Sequence, residues 1–479
     1  MFQNMPQGRR GVHHRKLPAT HRVVGGQDRG PGGTYFTGTR HQLVVLAEFA
    51  DQAFSGNDTA TLAQWNYILN TVQLTDSPFV GSFHDYFYAQ SYGAFNLVCD
   101  LQYVRVSNRA RYRSTQYDDE NSQYLVSDIV DSLLTRNIDW SRYDWNGDGY
   151  VNQILIIFAG KGSSYGNFGG GYDAIWPHQW WLSEHYDAET QTTAEARTVT
   201  YQGVNYLVDS YCAVQELAVD DSYRAFGTLC HEFTHCFGFP DFYCAGFNST
   251  PHSWEVMDFG NYNGAGYCPA GYSAHERWLM GWLTPVELTQ PATVTSMPAL
   301  EDEPVAYLIR NEGYENEYYI IENRQQKSWD AALPGAGVLI FHIDYDAELW
   351  YSSDFSEYVN SNNRQHYMIF AANNYPHQNK CAGWAYPYDT VNCLTDTSVP
   401  ASTLWHANTA GSTYMSKPIT EIAVTDGLAS FVFMDSTTHI DALWDERQQK
   451  VGKELRNGQL IIRCGEVLYT VTGQVLSAD

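Results

Sequence analysis

His231-Glu232-Phe233-Thr234-His235-Cys236-Phe237-Gly238-Phe239-Pro240-Asp241 is the stretch from which the rest of the chain is read. Around it, Phe226, Leu229, Cys230, Phe233 and Phe237 recur at the spacing of one apolar helix face, which predicts a helix over 223–237 packed on a core. His231 and His235 stand four residues apart, so both rings leave the same side of that helix, one turn above the other. Two imidazoles so placed can reach one tetrahedral ion at bonds of about 2 Å. Glu232 beside them points at a water on that ion and not at the ion itself. Gly238 suits a helix that ends in a left-handed residue. Pro240 forbids further helix, and Asp241 then arrives in extended chain, where its carboxylate can return as a third ligand. A bare HExxH is equally compatible with a solvated helix face. The Gly and Asp at these spacings, the apolar opposite face and a methionine-containing turn over 253–260 favour the metal reading.

Outward from this stretch the pattern is mixed. HQLVVLAEF over 41–49 reads as a buried strand, 60–72 and 81–91 as helices. A third helix is expected over 118–137, with Tyr124, Ile129, Val130 and Leu133 on one stripe. A strand follows at 154–158, then a Gly-rich loop over 160–172, and 278–283 closes the helical half. Beyond about Pro285 the texture changes to AYLIR, EYYIIE, GVLIFHI, HYMIFAA and SFVFM, separated by Asn, Gly, Pro and Asp. That is the punctuation of a β-rich region. The expected fold class is therefore α+β.

The residues from Cys230 to Leu283 resemble the M6 family, the immune-inhibitor-A-like metallopeptidases. The matching motifs are HExxHxxGxxD, the W-x-x-M-x-x-G turn Trp254 to Gly260, and a downstream helix ending Leu279-Met280-Gly281-Trp282-Leu283, where Met280 replaces the usual Leu. Gly81-Ser82-Phe83-His84-Asp85-Tyr86-Phe87, Ile175-Trp176-Pro177-His178-Gln179-Trp180 and Leu333-Pro334-Gly335 through Asp344 are also similar to that family. The likeness covers about 41–435. It implies a metzincin-like zinc peptidase domain over 41–285 and a β-rich, sandwich-like domain over 286–436 that packs on or completes it. Residues 1–40 then read as a basic leader or pro-segment remnant, and 437–479 as a tail. The zinc ligands implied are His231, His235 and Asp241, with Met257 as an apolar floor and Gly238 as the turn. Glu276 is the rival third ligand, because a Glu on a later helix serves that role in gluzincins. His178, Tyr267 and Tyr272 are candidates for a second electrophile beside the oxyanion, against ordinary packing or a structural hydrogen bond.

A second ion is expected at Asp144-Trp145-Asn146-Gly147-Asp148-Gly149-Tyr150-Val151-Asn152, where Asp144, Asn146, Asp148, Tyr150 and Asn152 follow the first part of a calcium loop. The twelfth position is Leu155 and a strand follows, so this is no EF-hand; the same residues would also make a plain Asx/Gly turn. The expected cofactors are thus Zn2+ and Ca2+.

Charge and composition bound the function. A net charge of −26 leaves no basic face for phosphates in the body of the chain, which excludes a nucleic-acid partner. No run approaches the ~18 apolar residues of a transmembrane segment. No apolar export signal stands behind Met1 either, so export would require one absent from this numbering. Residues 451–476 resemble the short β tail that ends many exported Bacteroidetes proteins, which with the family likeness implies secretion or surface display. Nine cysteines are an odd number, and Cys381 and Cys393 are close enough to close a small loop. The expected activity is zinc-dependent endopeptidase action on extracellular polypeptides, with Glu232 activating the attacking water. The alternative is a secreted binding or adhesion protein that keeps the peptidase fold; an intact Glu232 with three intact ligands argues against it.

Overall fold

The computed structural model describes residues 36–112, 121–162, 175–187, 192–218, 220–223, 225–243, 250–350, 359–360 and 364–435, and strand residues at 451–456, 459–464, 467–470 and 475–478. The expected leader up to residue 35, most of the Gly-rich loop and the first residues of the third expected helix lie outside these. The first sheet contains β1 (Gly38–Phe49), β2 (Phe95–Val106), β3 (Ile154–Lys161), β4 (His178–Trp181) and β5 (Ser210–Leu217), in the order β2-β1-β3-β5-β4. Four strands are parallel; β4 pairs antiparallel with β5, with Gln179 opposite Cys212. β3 is buried along nearly its whole length and β1 through its Leu43–Ala47 centre, as strands covered on both faces must be. β2 and β5 escape the sequence reading. β2 is an edge strand interrupted by Asp100, Gln102 and Arg105, and β5 carries Gln215 and Glu216 into the interior.

The helices are α1 (Asp58–Asn70), α2 (Phe83–Gln90), α3 (Ser122–Leu133), α4 (Phe226–His235) and α5 (Ala274–Leu279). α2 starts at Ser82, whose hydroxyl accepts the Asp85 N–H while Asp85 returns the bond, a reciprocal cap that fixes its first turn. α4 bears the HExxH residues and is buried almost throughout. Its Phe233 meets Phe83 and Phe87 of α2 edge-on, at ring separations of 5.1 and 5.4 Å. Gly227 lets α4 approach the 259–266 segment: a Cβ there would lie 1.8 Å from the Asn261 carbonyl oxygen. α4 is thus wedged between helix, sheet and loop, which leaves its functional side chains little freedom.

The second half is β-rich. β6 (Val286–Glu287), β8 (Tyr307–Arg310), β9 (Glu317–Arg324), β10 (Gly337–Asp344) and β11 (Tyr367–Ile369) form one sheet in that order. β7 (Ala292–Met297), β13 (Leu428–Phe433) and β12 (Ile419–Thr425) form another, with β13 central. The larger sheet is covered on both faces. Tyr318 and Ile320 join the core that also holds α4, while Tyr319 and Ile321 join the core under β7, β12 and β13. Where it meets α5 the chain buries charge. Arg324 binds both Asp330 oxygens, at 2.5 and 2.6 Å, and Glu322 at 3.0 Å, all fully buried. Strands over 451–478 form a separate four-stranded meander. Cys381 and Cys393 are both free thiols, so the short loop expected between them is not closed.

Candidate metal centre

α4 ends at His235, and Gly238 then takes a left-handed backbone with φ +90°, its N–H donating to His235 O at 2.8 Å. This bend carries Asp241 back over the helix. Asp241 Oδ1 lies 3.1 Å from His231 Nε2 and 3.3 Å from His235 Nε2. Donors sharing one tetrahedral ion at bonds of about 2.0–2.1 Å stand roughly 3.3 Å apart. Among the described residues these three are the group of His, Cys, Asp and Glu whose ligand atoms converge.

The outer nitrogens decide what the inner ones can do. His231 Nδ1 lies 2.8 Å from Val256 O, and His235 Nδ1 lies 2.7 Å from Phe239 O. A carbonyl only accepts, so each Nδ1 carries the proton and each neutral ring turns a bare Nε2 lone pair inward. Asp241 Oδ1 is buried and has no hydrogen-bond donor of its own. Two nitrogen lone pairs and a carboxylate oxygen therefore face one another and call for a cation or a proton between them. The residues fit a zinc ion. In its absence, burial would lower the His231 pKa, but the bond to Asp241 and the charge of Glu232 outweigh it and hold the imidazole at about 9. Burial would likewise raise Asp241, yet the two imidazoles keep its carboxyl below the usual carboxylate range.

Glu232 is buried beside them. Burial raises its carboxyl above the ordinary value, while the imidazoles of His231 and His235, and more weakly the Gln179 backbone of β4, pull the other way. The Met257 turn is tied to the ligand segments through its backbone. Val256 O holds His231, Met257 O accepts the Phe242 N–H at 2.9 Å, and the Gly260 N–H donates to Glu255 O at 2.8 Å. Gly260 allows this closeness, since a Cβ would sit 2.4 Å from Glu255 O. The contributions of Gln179, Val256 and Phe239 are all made through backbone, which no side-chain motif signals.

The remaining expected residues do not join the three converging ligand atoms. Glu276 caps α5: its Oε2 accepts the Ser273 N–H at 2.9 Å, and the residue is fully buried. Tyr272 is fully buried, its hydroxyl 2.6 Å from Thr234 Oγ1, bracing α4. His178 donates from Nδ1 to Trp176 O at 2.7 Å, and its Nε2 meets the hydroxyls of Tyr211 and Ser122 at 2.9 and 3.1 Å. Tyr267 packs edge-on against Phe79, which in turn meets Phe226. In the 144–152 loop, Asp144 Oδ1 accepts from the Gly147 and Asp148 N–H groups and Oδ2 from Gly149, at 2.8, 3.1 and 3.0 Å. Asp148 Oδ1 accepts the Tyr150 N–H, and Asn152 Oδ1 accepts the Trp145 N–H. Those are the bonds of an Asx-type turn, while Asn146 Oδ1 is buried without a partner.

The family model described as immune inhibitor A peptidase M6, catalytic domain, matches residues 39–280, about half the chain. The immune inhibitor A of Bacillus thuringiensis subsp. alesti is 26% identical over 273 residues, covering 49% of this chain and 38% of that protein. The pre-pro-metalloprotease PrtV of Vibrio cholerae serotype O1 (strain M66-2) is 28% identical over 177 residues, 33% of this chain and 18% of that protein. The chain thus spans well under half the length of either relative.

Proposed function

The chain belongs to the immune inhibitor A peptidase M6 family, and on that premise we propose that it is a zinc-dependent endopeptidase acting on extracellular proteins. The observation that carries the reading is the convergence of His231 Nε2, His235 Nε2 and Asp241 Oδ1 beside a buried Glu232. His231, His235 and Asp241 would hold the ion. When bound, zinc supplies a Lewis acid that brings the pKa of a water toward ~7 and polarises the scissile carbonyl. The rest falls to the chain's own residues. Glu232 takes the proton from the attacking water and passes it to the leaving amine. Burial that lifts its pKa suits the first half of that task, because a carboxylate of raised pKa is the stronger base toward the attacking water. The Gln179 backbone of β4 favours the charged form of that carboxylate. Among the described residues β4 is the last strand of its sheet, and extended peptides add to sheet edges by backbone hydrogen bonds. A polypeptide laid along β4 would bring its scissile bond beside Glu232.

The reading extends to calcium at 144–152. Oxygen side chains alternate along the loop, and the buried, unpartnered Asn146 Oδ1 supports a ligand there. Export of the protein is supported by the family and by the β tail over 451–478, and no described helix is long and apolar enough to cross a membrane. The test is hydrolysis of an unfolded protein such as casein. It should be abolished by a zinc chelator and restored by zinc, and a protein carrying one zinc per chain that cuts nothing would overturn the reading.

A further inference from the structure

Asp241 belongs to no helix or strand, yet it must be held to within a fraction of an ångström if it is to serve an ion. The residue after it, Phe242, is clamped on three sides. Its N–H donates to Met257 O at 2.9 Å, and its C=O accepts from Asn360 Nδ2 at 2.7 Å. Its ring stacks on Tyr367 of β11, with centroids 4.1 Å apart and planes 28° from parallel. Met257 sits in the turn whose Val256 O orients His231, so the first clamp ties one ligand's segment to the other's support.

Asn360 is fully buried. The same Nδ2 also donates to Tyr367 O at 2.9 Å, and its Oδ1 accepts the Tyr367 N–H at 3.0 Å. The side chain therefore pairs with Tyr367 as a strand residue would, and spends its remaining N–H on the peptide next to Asp241. A buried Asn bonded only within its own loop would be ordinary filler. This one joins the β-rich half to the metal segment, 118 residues away in sequence, and it lies outside the 39–280 stretch that matches the family.

We propose that Asn360 is a positioning residue for the metal centre: through Phe242 it fixes the backbone that presents Asp241 to His231 and His235. The proposal rests on the zinc reading above. It makes the β-rich half part of the metal site and not merely a neighbour of it.

The test compares full-length wild type, Asn360→Ala, Asn360→Asp and Asp241→Ala by competition for zinc with a chromophoric chelator, well below each protein's melting temperature. Outer partners of metal ligands typically change affinity by 10–100-fold, and Asn360 acts one residue removed, so Asn360→Ala should weaken zinc about tenfold. Asn360→Asp keeps the volume and the acceptor for Tyr367 N–H but loses both donors. It should shift affinity the same way, and it serves alone if the alanine variant does not fold. Zinc affinity equal to wild type in a folded Asn360 variant, whatever its melting temperature, would overturn the proposal and leave Asn360 a packing residue. If Asp241→Ala holds zinc as tightly as wild type, the zinc reading fails and the proposal with it.

Discussion

Zinc binding should release close to one proton at neutral pH, because in the metal-free protein a proton occupies the place the ion would take. The His231 imidazole is held at about 9 against burial by Asp241 and Glu232. At pH 7 the ring would then be protonated roughly a hundred times more often than not, a competition worth about 2.7 kcal/mol. Apparent zinc affinity should therefore rise about tenfold per pH unit from roughly pH 6.5 to 8.5 and level off above about 9. Calorimetric titration in two buffers of different ionisation enthalpy counts the proton directly, and chelator competition across the pH range measures the slope. The same shift acts on the stability of the metal-free protein. The folded pKa lies above the ordinary ~6.5, so the contribution is complete below about pH 6.5 and is lost as pH rises through about 9; it is on the order of 3 kcal/mol. Thermal melts of the chelated protein should fall over that window. A flat zinc affinity with no proton released would refute the account of three unshared lone-pair donors.

Three further outcomes follow from particular contacts. Asp241→Ala should lower zinc occupancy far more than Glu276→Ala, since Glu276 is engaged at the start of α5; metal analysis of the two purified variants decides, and the opposite ranking would make Glu276 the ligand. Millimolar calcium should raise the melting temperature, as a ligand of the native state does, and Asp148→Ala should remove most of that rise without changing zinc content; an identical response in both proteins would leave the loop a turn only. Arg324→Ala should cost about 3–5 kcal/mol in urea unfolding, because it strands the buried carboxylates of Asp330 and Glu322; a cost below about 1 kcal/mol would mean that water enters or that those acids take up protons readily.

The parts of this molecule legible in sequence are those whose pattern is local. HQLVVLAEF announced β1, the i, i+4 histidines announced one face of α4, and Gly238 followed by Pro240 announced the bend that brings Asp241 back. Strands with mixed faces were not legible. β2 carries polar residues because it lies at an edge, and β5 carries them because its Glu216 serves buried backbone, accepting the Gly160 N–H at 2.9 Å. Tyr272 and His178 illustrate the limit on sites. A tyrosine or histidine near a metal motif reads alike whether it meets substrate or braces a helix, and here both are bonded inside the fold. The supports of the centre were least legible of all. Val256, Phe239 and Gln179 act through their backbone, and Asn360 reaches the site across sheets that no spacing rule connects.

The most direct measurement of the central claim is made on Glu232→Gln beside wild type, recording zinc per chain and the rate of casein hydrolysis on the same preparations. The account predicts one zinc in each protein, unchanged melting temperature, and a rate in the variant lower by roughly two or more orders of magnitude, the scale of lost general-base assistance. Near-normal hydrolysis by a zinc-loaded Glu232→Gln would contradict it and remove Glu232 from the chemistry.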